Sequence, residues 1–308
     1  MTFPCGYLPA MIPMLPHITV CVCAFKRPDL LARLLEALDR QTTEGLFTYS
    51  TVVSDNDVDQ SAQTVVSGFS SATEMRVTYC VEPQQNIALA RNMALKHAKG
   101  DFIAFIDDDE VPDEDWLLLL FRACMFFKSD GILGPVEPYF EGEPPGWVTK
   151  GRFFQRPNHS TGYKLRWAEC NTGNVLFRRY VLDGVEEPFR RQFDTAGEDT
   201  DFFRRLAERG CSFVWCSEAA VHELVPPARC QRMFLLKRAL LRGSNFPKQG
   251  GGRWKNLTRS VIAVPCYTLA LPVLFVCAGH LGFKYFVKLC EHASRLLACA
   301  GWSVVTER

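Results

Sequence analysis

Residues 101–110 read Asp-Phe-Ile-Ala-Phe-Ile-Asp-Asp-Asp-Glu, five apolar residues in succession and then four carboxylates. A run this short and this apolar is a strand buried on both faces, and the acids mark its C-terminal end. Upstream, apolar runs at 17–24, 48–54 and 75–81 alternate with helical patterns from Pro28, after residue 54 and from Asn86. Downstream, a helix begins near Glu114 with Trp116 and four leucines, and a strand-like stretch covers 131–136. A loop-rich segment with Pro-Pro-Gly at 144–146 follows, and regularity returns around Asn174 and in a helix after Gly197. The alternation predicts an α/β fold, a mostly parallel sheet with helices on both faces and right-handed crossovers. Ligands of such sheets bind at the C-terminal strand ends, where residues 107–110 lie.

The 308 residues allow two structural units at most, and 47% hydrophobic with 22% charged residues excludes disorder, collagen and coiled coil. Net charge is +1, which argues against a nucleic-acid partner, but the average conceals an asymmetry. Residues 224–290 hold eleven Lys/Arg and no acid, leaving 24 basic against 34 acidic residues elsewhere. The chain is an acidic body with a basic tail. Its 13 cysteines include no C-x-x-C pair, so free thiols in a reducing compartment are expected, and the sequons at Asn158 and Asn256 are chance matches. The first sixteen residues lack Lys and Arg and read as a loose leader rather than a secretory signal.

Adjacent carboxylates at 107–109 repel one another, and each pKa rises unless a cation is present, so the run asks for a divalent metal. Oxygen-only ligands suit Mg²⁺ or Mn²⁺, and Mg²⁺ prefers one or two carboxylates completed by phosphate and water, which points to a nucleoside diphosphate. An acidic, solvated turn would carry the same letters. Val52-Val-Ser-Asp-Asn-Asp57 places Asp55 at the same rim, either to accept a base N–H or to close an Asx turn. Arg91, in the helix opened by Asn86, faces either a diphosphate or the neighbouring acids as an internal ion pair. Gly197-Glu-Asp-Thr-Asp201 opens another helix with three acids in four positions, more than a cap needs. Thr172-Gly-Asn174 is a turn suited to close ligand approach, and His222 is either a ligand or a packed residue.

In their order and spacing these elements resemble glycosyltransferase family 2, the inverting transferases of GT-A fold, over residues 17–242. The resemblance rests on Thr19-Val-Cys-Val-Cys-Ala-Phe-Lys-Arg-Pro28, Asp55, the Asn86–Asn92 run, Asp107–Asp109 and Glu198-Asp199. Phe105–Glu110 with Val225-Pro-Pro-Ala-Arg229 looks most like the exopolysaccharide-type subgroup. The resemblance implies that Ala24, Phe25, Arg27, Asp55, Arg91, Asp107 and Asp108 bind the nucleotide sugar, most often a UDP-sugar. It implies a Mg²⁺ or Mn²⁺ ion on Asp109 and Asp107, with His222 as a further candidate ligand. Asp199 becomes the catalytic base, paired with Glu198, and Trp147, Gly173 and Asn174 line the acceptor. The usual Gly-Ser after the base-binding Asp is replaced by Asn56-Asp57, which leaves the nucleotide preference open. The Q-x-x-R-W motif of processive synthases is absent, since Gln249 to Trp254 is one residue too long, so one sugar per encounter is expected.

The tail divides from the body at residue 243. Val261–Phe283 is 23 residues without Asp, Glu, Lys or Arg, enough to span a bilayer, although Pro265 and Pro272 interrupt it. Each Lys or Arg near an anionic leaflet contributes about 1 kcal/mol, so 243–308 is expected to hold the body on the cytoplasmic face of a membrane, near a saccharide or lipid-linked acceptor. Packing of the apolar segment on the body is the alternative. Two other functions compete. Asp107-x-Asp109-x-Val111 matches the nucleophile motif of haloacid-dehalogenase-type phosphatases, but that fold carries it on the first core strand and three strands precede it here. A catalytically inactive, transferase-like membrane scaffold would need none of the carboxylates.

Overall fold

The computed structural model describes residues 15–193, 197–244 and 253–302. The leader up to residue 14 and the glycines at 250–252 lie outside the described residues. The first half of the chain alternates as the apolar runs require: β1 (His17–Ala24), α1 (Pro28–Asp39), β2 (Thr48–Asp55), α2 (Gln63–Ala72), β3 (Val77–Val81), α3 (Ile87–His97) and β4 (Phe102–Asp107). Then come β5 (Glu110–Pro112), α4 (Trp116–Phe127), β6 (Gly131–Leu133), β7 (Val136–Phe140) and α5 (Gly146–Gly151). The remainder is β8 (Asn174–Arg178), α6 (Glu198–Glu208), β9 (Phe213–Trp215), β10 (Val221–Val225), α7 (Arg232–Ser244), α8 (Arg253–Cys277) and α9 (Gly279–Cys299).

Seven strands form the main sheet in the order β3-β2-β1-β4-β8-β6-β9. β1 to β4 are parallel, whereas β8 runs antiparallel between β4 and β6, so the sheet is mixed. Asp107 ends the fourth strand in chain order, which removes the phosphatase reading. Both faces are covered. Leu31, Leu34, Leu35 and Leu38 of α1, with Trp116, Leu117 and Leu120 of α4, bury one face. α3 and α6 cover the other, where Phe105, Phe177, Phe189, Phe202 and Phe203 form a chain of stacked, edge and tilted aromatic contacts.

The strand-like stretch at 131–136 is two strands in two sheets. Gly134-Pro135 breaks it, sending β6 into the main sheet and β7 into a second sheet of order β5-β10-β7. The break is tight: the Gly134 amide donates to Asn174 O at 3.3 Å. A Cβ there would sit 2.0 Å from Ala219 O.

The charge-free run 261–283 is also divided. α8 ends at Cys277, Ala278 leaves helical geometry at φ −157°, and α9 folds back along both α8 and α7. Close approach sets the packing, because a Cβ on Gly282 would meet the Phe275 ring at 2.7 Å and one on Gly243 would meet Glu291 O at 2.5 Å. Phe283 packs against Trp147 and Phe153, so α9 is docked on the body. α8 remains continuous through Pro265 and Pro272, and Leu257–Cys277 is long and apolar enough to cross a membrane.

Gly134→Ala is expected to cost about 2–3 kcal/mol through overpacking at the point where the two sheets part. A lowered thermal midpoint of the detergent-solubilised protein checks this, and an unchanged midpoint contradicts the stated closeness.

Candidate functional site

Parallel register brings the C-terminal strand ends together: Ala24 lies beside Asp55 across β1 and β2, and Cys23 beside Asp107 across β1 and β4. The turn from β1 into α1, with Lys26 at φ 54°, presents the Phe25 amide to Asp108 Oδ2 at 3.2 Å. Arg27 follows, donating from Nη1 to Asp108 Oδ1 at 3.0 Å and to Asp109 Oδ2 at 2.9 Å. Asp109 Oδ2 also accepts from Arg229 Nη2 at 2.9 Å. Burial pushes the Asp108 carboxyl up to about 7 against the pull of Arg27.

On the other side of Asp107, Arg91 is buried beneath α6. Its helix starts where Asn86 accepts from the amides of Ala88 and Leu89 at 2.9 and 3.2 Å, a side-chain cap that fixes the first turn. The guanidinium pairs with Glu198 Oε1, approaches Asp107 Oδ1 at 3.7 Å and lies over the Phe189 ring at 5.6 Å. Burial raises the Glu198 carboxyl, opposed by Arg91, and its Oε2 has no partner. Asp199, next in the first turn of α6, is partly exposed, and its Oδ1 accepts the Thr200 amide at 2.6 Å. Acids separated by ninety residues of sequence thus meet through one arginine.

Sequence reasoning gave no site role to Glu110, Arg156, Glu223 or Arg229. Glu110 and Glu223 oppose each other across β5 and β10. The Glu110 Oε2 accepts the Asp107 amide at 3.1 Å, its buried Oε1 has no partner, and burial raises it well above the carboxylate range. Glu223 accepts from Arg156 Nη2 at 2.5 Å and Arg229 Nη1 at 3.1 Å. Val-Pro-Pro-Ala-Arg229 carried the one signal that could have found this cluster.

Several expected roles meet a different geometry. His222 lies on β10 opposite Val111, on the strand face away from Glu223 and Glu110, with Nε2 3.4 Å from Asp113; strand alternation takes it off the acid cluster. Asn174 is fully buried: Oδ1 accepts from Trp116 Nε1 at 2.8 Å, and Nδ2 donates to Pro135 O and Ala219 O at 2.9 and 2.8 Å, so no group is left for an acceptor. Trp147 meets Phe153 and Phe283 edge-on with Arg232 against its ring, a packing role under α9. Asp55 stands at the expected rim, but it is fully buried and accepts from Tyr79 Oη at 2.9 Å and the amides of Asp57 and Ala62 at 3.1 and 2.8 Å, which is the turn-closing geometry. Gly173 does approach the site closely, since a Cβ there would lie 2.8 Å from Glu110 Oε1 and 3.4 Å from Asp107 Oδ2.

Among the described residues no three His, Cys, Asp or Glu side chains form a metal-holding group. A cation completed by phosphate needs fewer. The orphaned Glu110 oxygen and the side-chain-free backing of Gly173 beside Asp107 and Glu110 fit a hard divalent ion. The described cysteines are free thiols.

The family model described as Glycosyl transferase family 2 matches residues 19–185. Succinoglycan biosynthesis protein ExoM of Rhizobium meliloti (strain 1021) is 34% identical over 231 residues, 74% of this chain and 73% of that protein. The mannosyltransferase PcManGT from Pyrobaculum calidifontis, solved in complex with GDP-Man and Mn²⁺, superposes with a TM-score of 0.62 at 17% identity, covering 94% of this chain and 87% of that one. S. aureus TarS 1–349 in complex with UDP superposes with a TM-score of 0.53 at 14% identity, covering 92% and 90%. At such identities the two structures speak to the fold.

Asn174→Ala would leave the buried Trp116 indole N–H and the Ala219 carbonyl without their side-chain partner, at about 1–3 kcal/mol for each unmet group, whereas Pro135 O keeps the Val221 amide at 3.0 Å. A thermal midpoint lowered by several degrees, with the KM for acceptor unchanged in the surviving fraction, is the expected result. A raised KM at unchanged stability would return Asn174 to the acceptor site.

Proposed function

The chain belongs to glycosyl transferase family 2 and is a glycosyltransferase, and from that premise we propose that it moves one sugar from a nucleotide-diphosphate sugar to a hydroxyl of a saccharide or lipid-linked saccharide, with inversion. The observation that carries this reading is the convergence of Glu198-Asp199 on Asp107 through Arg91. The relative's name supports a place in surface-polysaccharide synthesis, and UDP is the favoured nucleotide.

Asp199 is the base, because Glu198 is committed to Arg91 while Asp199 remains partly exposed at the helix start. It takes the proton of the acceptor hydroxyl as that oxygen attacks the anomeric carbon and the bond to the diphosphate oxygen breaks. Asp107 and Asp109, with Glu110 behind them, would hold Mg²⁺ or Mn²⁺. When bound, that ion supplies electrostatic stabilisation of the leaving diphosphate. Ala24, Phe25 and Asp108 border the nucleotide, and Arg27 supplies positive charge at the same rim. Base recognition falls to the rim around Asp55, whose own carboxylate is committed to the turn.

The outward face of α8, with Leu269 80% and Val276 87% exposed, is proposed to lie in the cytoplasmic leaflet of a membrane. The exposed Lys237 and Arg242 of α7 are then proposed to supply positive charge toward the lipid surface.

Asp199→Asn is expected to lower kcat about 10²- to 10⁴-fold with donor affinity nearly intact. Asp109→Ala is expected to lose metal-dependent donor binding, read as nucleotide release and titration with and without Mn²⁺; equal effects of both substitutions on both quantities would contradict the roles.

Leu269→Arg with Val276→Arg leaves the packed side of the hairpin untouched, and a charge carried into the hydrocarbon costs up to about 2.5–3.5 kcal/mol per residue. The variant is expected to leave the membrane pellet for the soluble fraction, whereas unchanged sedimentation with lipid would refute the anchor.

A further inference from the structure

Residues 188–191 belong to no helix or strand, yet side chains from α3 and α6 meet their backbone groups. Asn92 Oδ1 accepts the Phe189 amide at 3.0 Å, and Asn92 Nδ2 donates to Phe189 O at 2.6 Å. Asn86 Nδ2 donates to Arg191 O at 2.9 Å, and Arg205 Nη2 donates to Pro188 O. Asp201 steadies the same stretch from α6, pairing with Arg205 Nε at 2.8 Å and Arg190 Nη1 at 3.6 Å. Backbone groups outside a ladder find partners only in side chains or water, and Asn92 supplies both a donor and an acceptor to one residue. That residue is Phe189, whose fully buried ring meets all three elements that deliver the catalytic acids. Its centre lies 5.7 Å from the Phe105 ring of β4, 4.6 Å from the Phe202 ring of α6 and 5.6 Å from the guanidinium carbon of Arg91 on α3. β4 ends in Asp107, and α6 opens with Glu198-Asp199.

We propose that Asn92 is a positioning residue of the transfer reaction: it grips Phe189 so that Arg91 and Glu198 hold the Asp199 carboxylate at the acceptor hydroxyl, an inference that rests on the reading of Asp199 as base. Arg91 and Asn92 are neighbours on α3 with different tasks, one in the ion pair and one on the backbone of the residue whose ring meets that ion pair. Loosening the grip moves the ring, and with it the seat of the guanidinium that anchors the start of α6. A displacement of about 1 Å at a reacting group costs about 10²-fold in rate. Among the described residues the hydrogen bonds of the Asn92 side chain go to Phe189 alone, so its contribution falls on the chemical step and not on donor binding.

The test uses the full-length protein and its Asn92→Asp variant, which keeps the side-chain volume and the acceptor for the Phe189 amide but turns a carboxylate oxygen toward Phe189 O. Phe189→Leu, which keeps the backbone grip and removes the ring, is measured alongside in case Asn92→Asp does not fold. UDP-sugar binding is titrated without acceptor, and kcat is expressed per donor-binding site, so unfolded protein does not count as lost activity. Each variant is expected to lower kcat about 10²-fold with donor affinity unchanged. Combined with Asp199→Asn, each is expected to cause little further loss, because residues that act as a unit are not additive. Unchanged kcat per site, weakened donor binding, or the same fold-loss with and without Asp199 each overturns the proposal; the last marks Asn92 as a structural residue only. An Asp199→Asn protein as active as the parent would instead fail the base assignment itself, so the two failures are told apart.

Discussion

The site depends on burying one positive charge. Arg91 lies beneath α6 with a carboxylate on each side, Glu198 in direct contact and Asp107 at 3.7 Å. Removing Glu198 would leave the buried guanidinium with only the more distant Asp107, a loss of about 3–5 kcal/mol. The ion pair therefore holds the start of α6 at the end of β4. Asp199 gains its position as a consequence: it follows Glu198 in the same helical turn, so anchoring one aims the other. Phe189, with its ring 5.6 Å from the guanidinium carbon, adds a cation–π contact to the pair.

A second constraint comes from the small sheet. β10 pairs antiparallel with β5 and parallel with β7, so it reaches the acid run from the side opposite to β1. The Leu224 amide donates to Asp109 O at 2.9 Å, which ties the acid run to the strand carrying Glu223. Arg27 enters from the first βα turn and Arg229 from the turn after β10, and both end on the same Asp109 oxygen. The first and last parts of the catalytic body thus close on one carboxylate. Arg229 thereby joins the start of the basic tail to the acidic body.

Much of the fold was legible because strands buried on both faces and single intervening helices leave few alternatives. Short strands were the exception. β5, β6 and β9 have three residues each, too few to show a period, and only the break at Gly134 separates β6 from β7. The antiparallel β8 could not be read either, since a strand's direction is settled by its partners. The apolar run 261–283 shows composition without geometry: its length suggests one span, yet the helix turns at Ala278, and Gly282 lets α9 fold back against Phe275.

The site was legible in its acids and obscure in its faces. Asp107, Asp109, Arg91 and Glu198 meet because a charged residue at a buried strand end has few places to go. His222 and Glu223 are adjacent letters of one strand, and only the register of β10 against β5 decides that Glu223 faces Glu110. Asn174 and Trp147 carry chemistry suited to sugars, but the same donors and faces also satisfy a buried indole and cover an aromatic core. Residue type lists what a side chain can do; satisfied partners show what remains free to act. By that criterion Asp199 keeps an uncommitted carboxylate oxygen, Asp55 does not, and the catalytic assignment follows the free group.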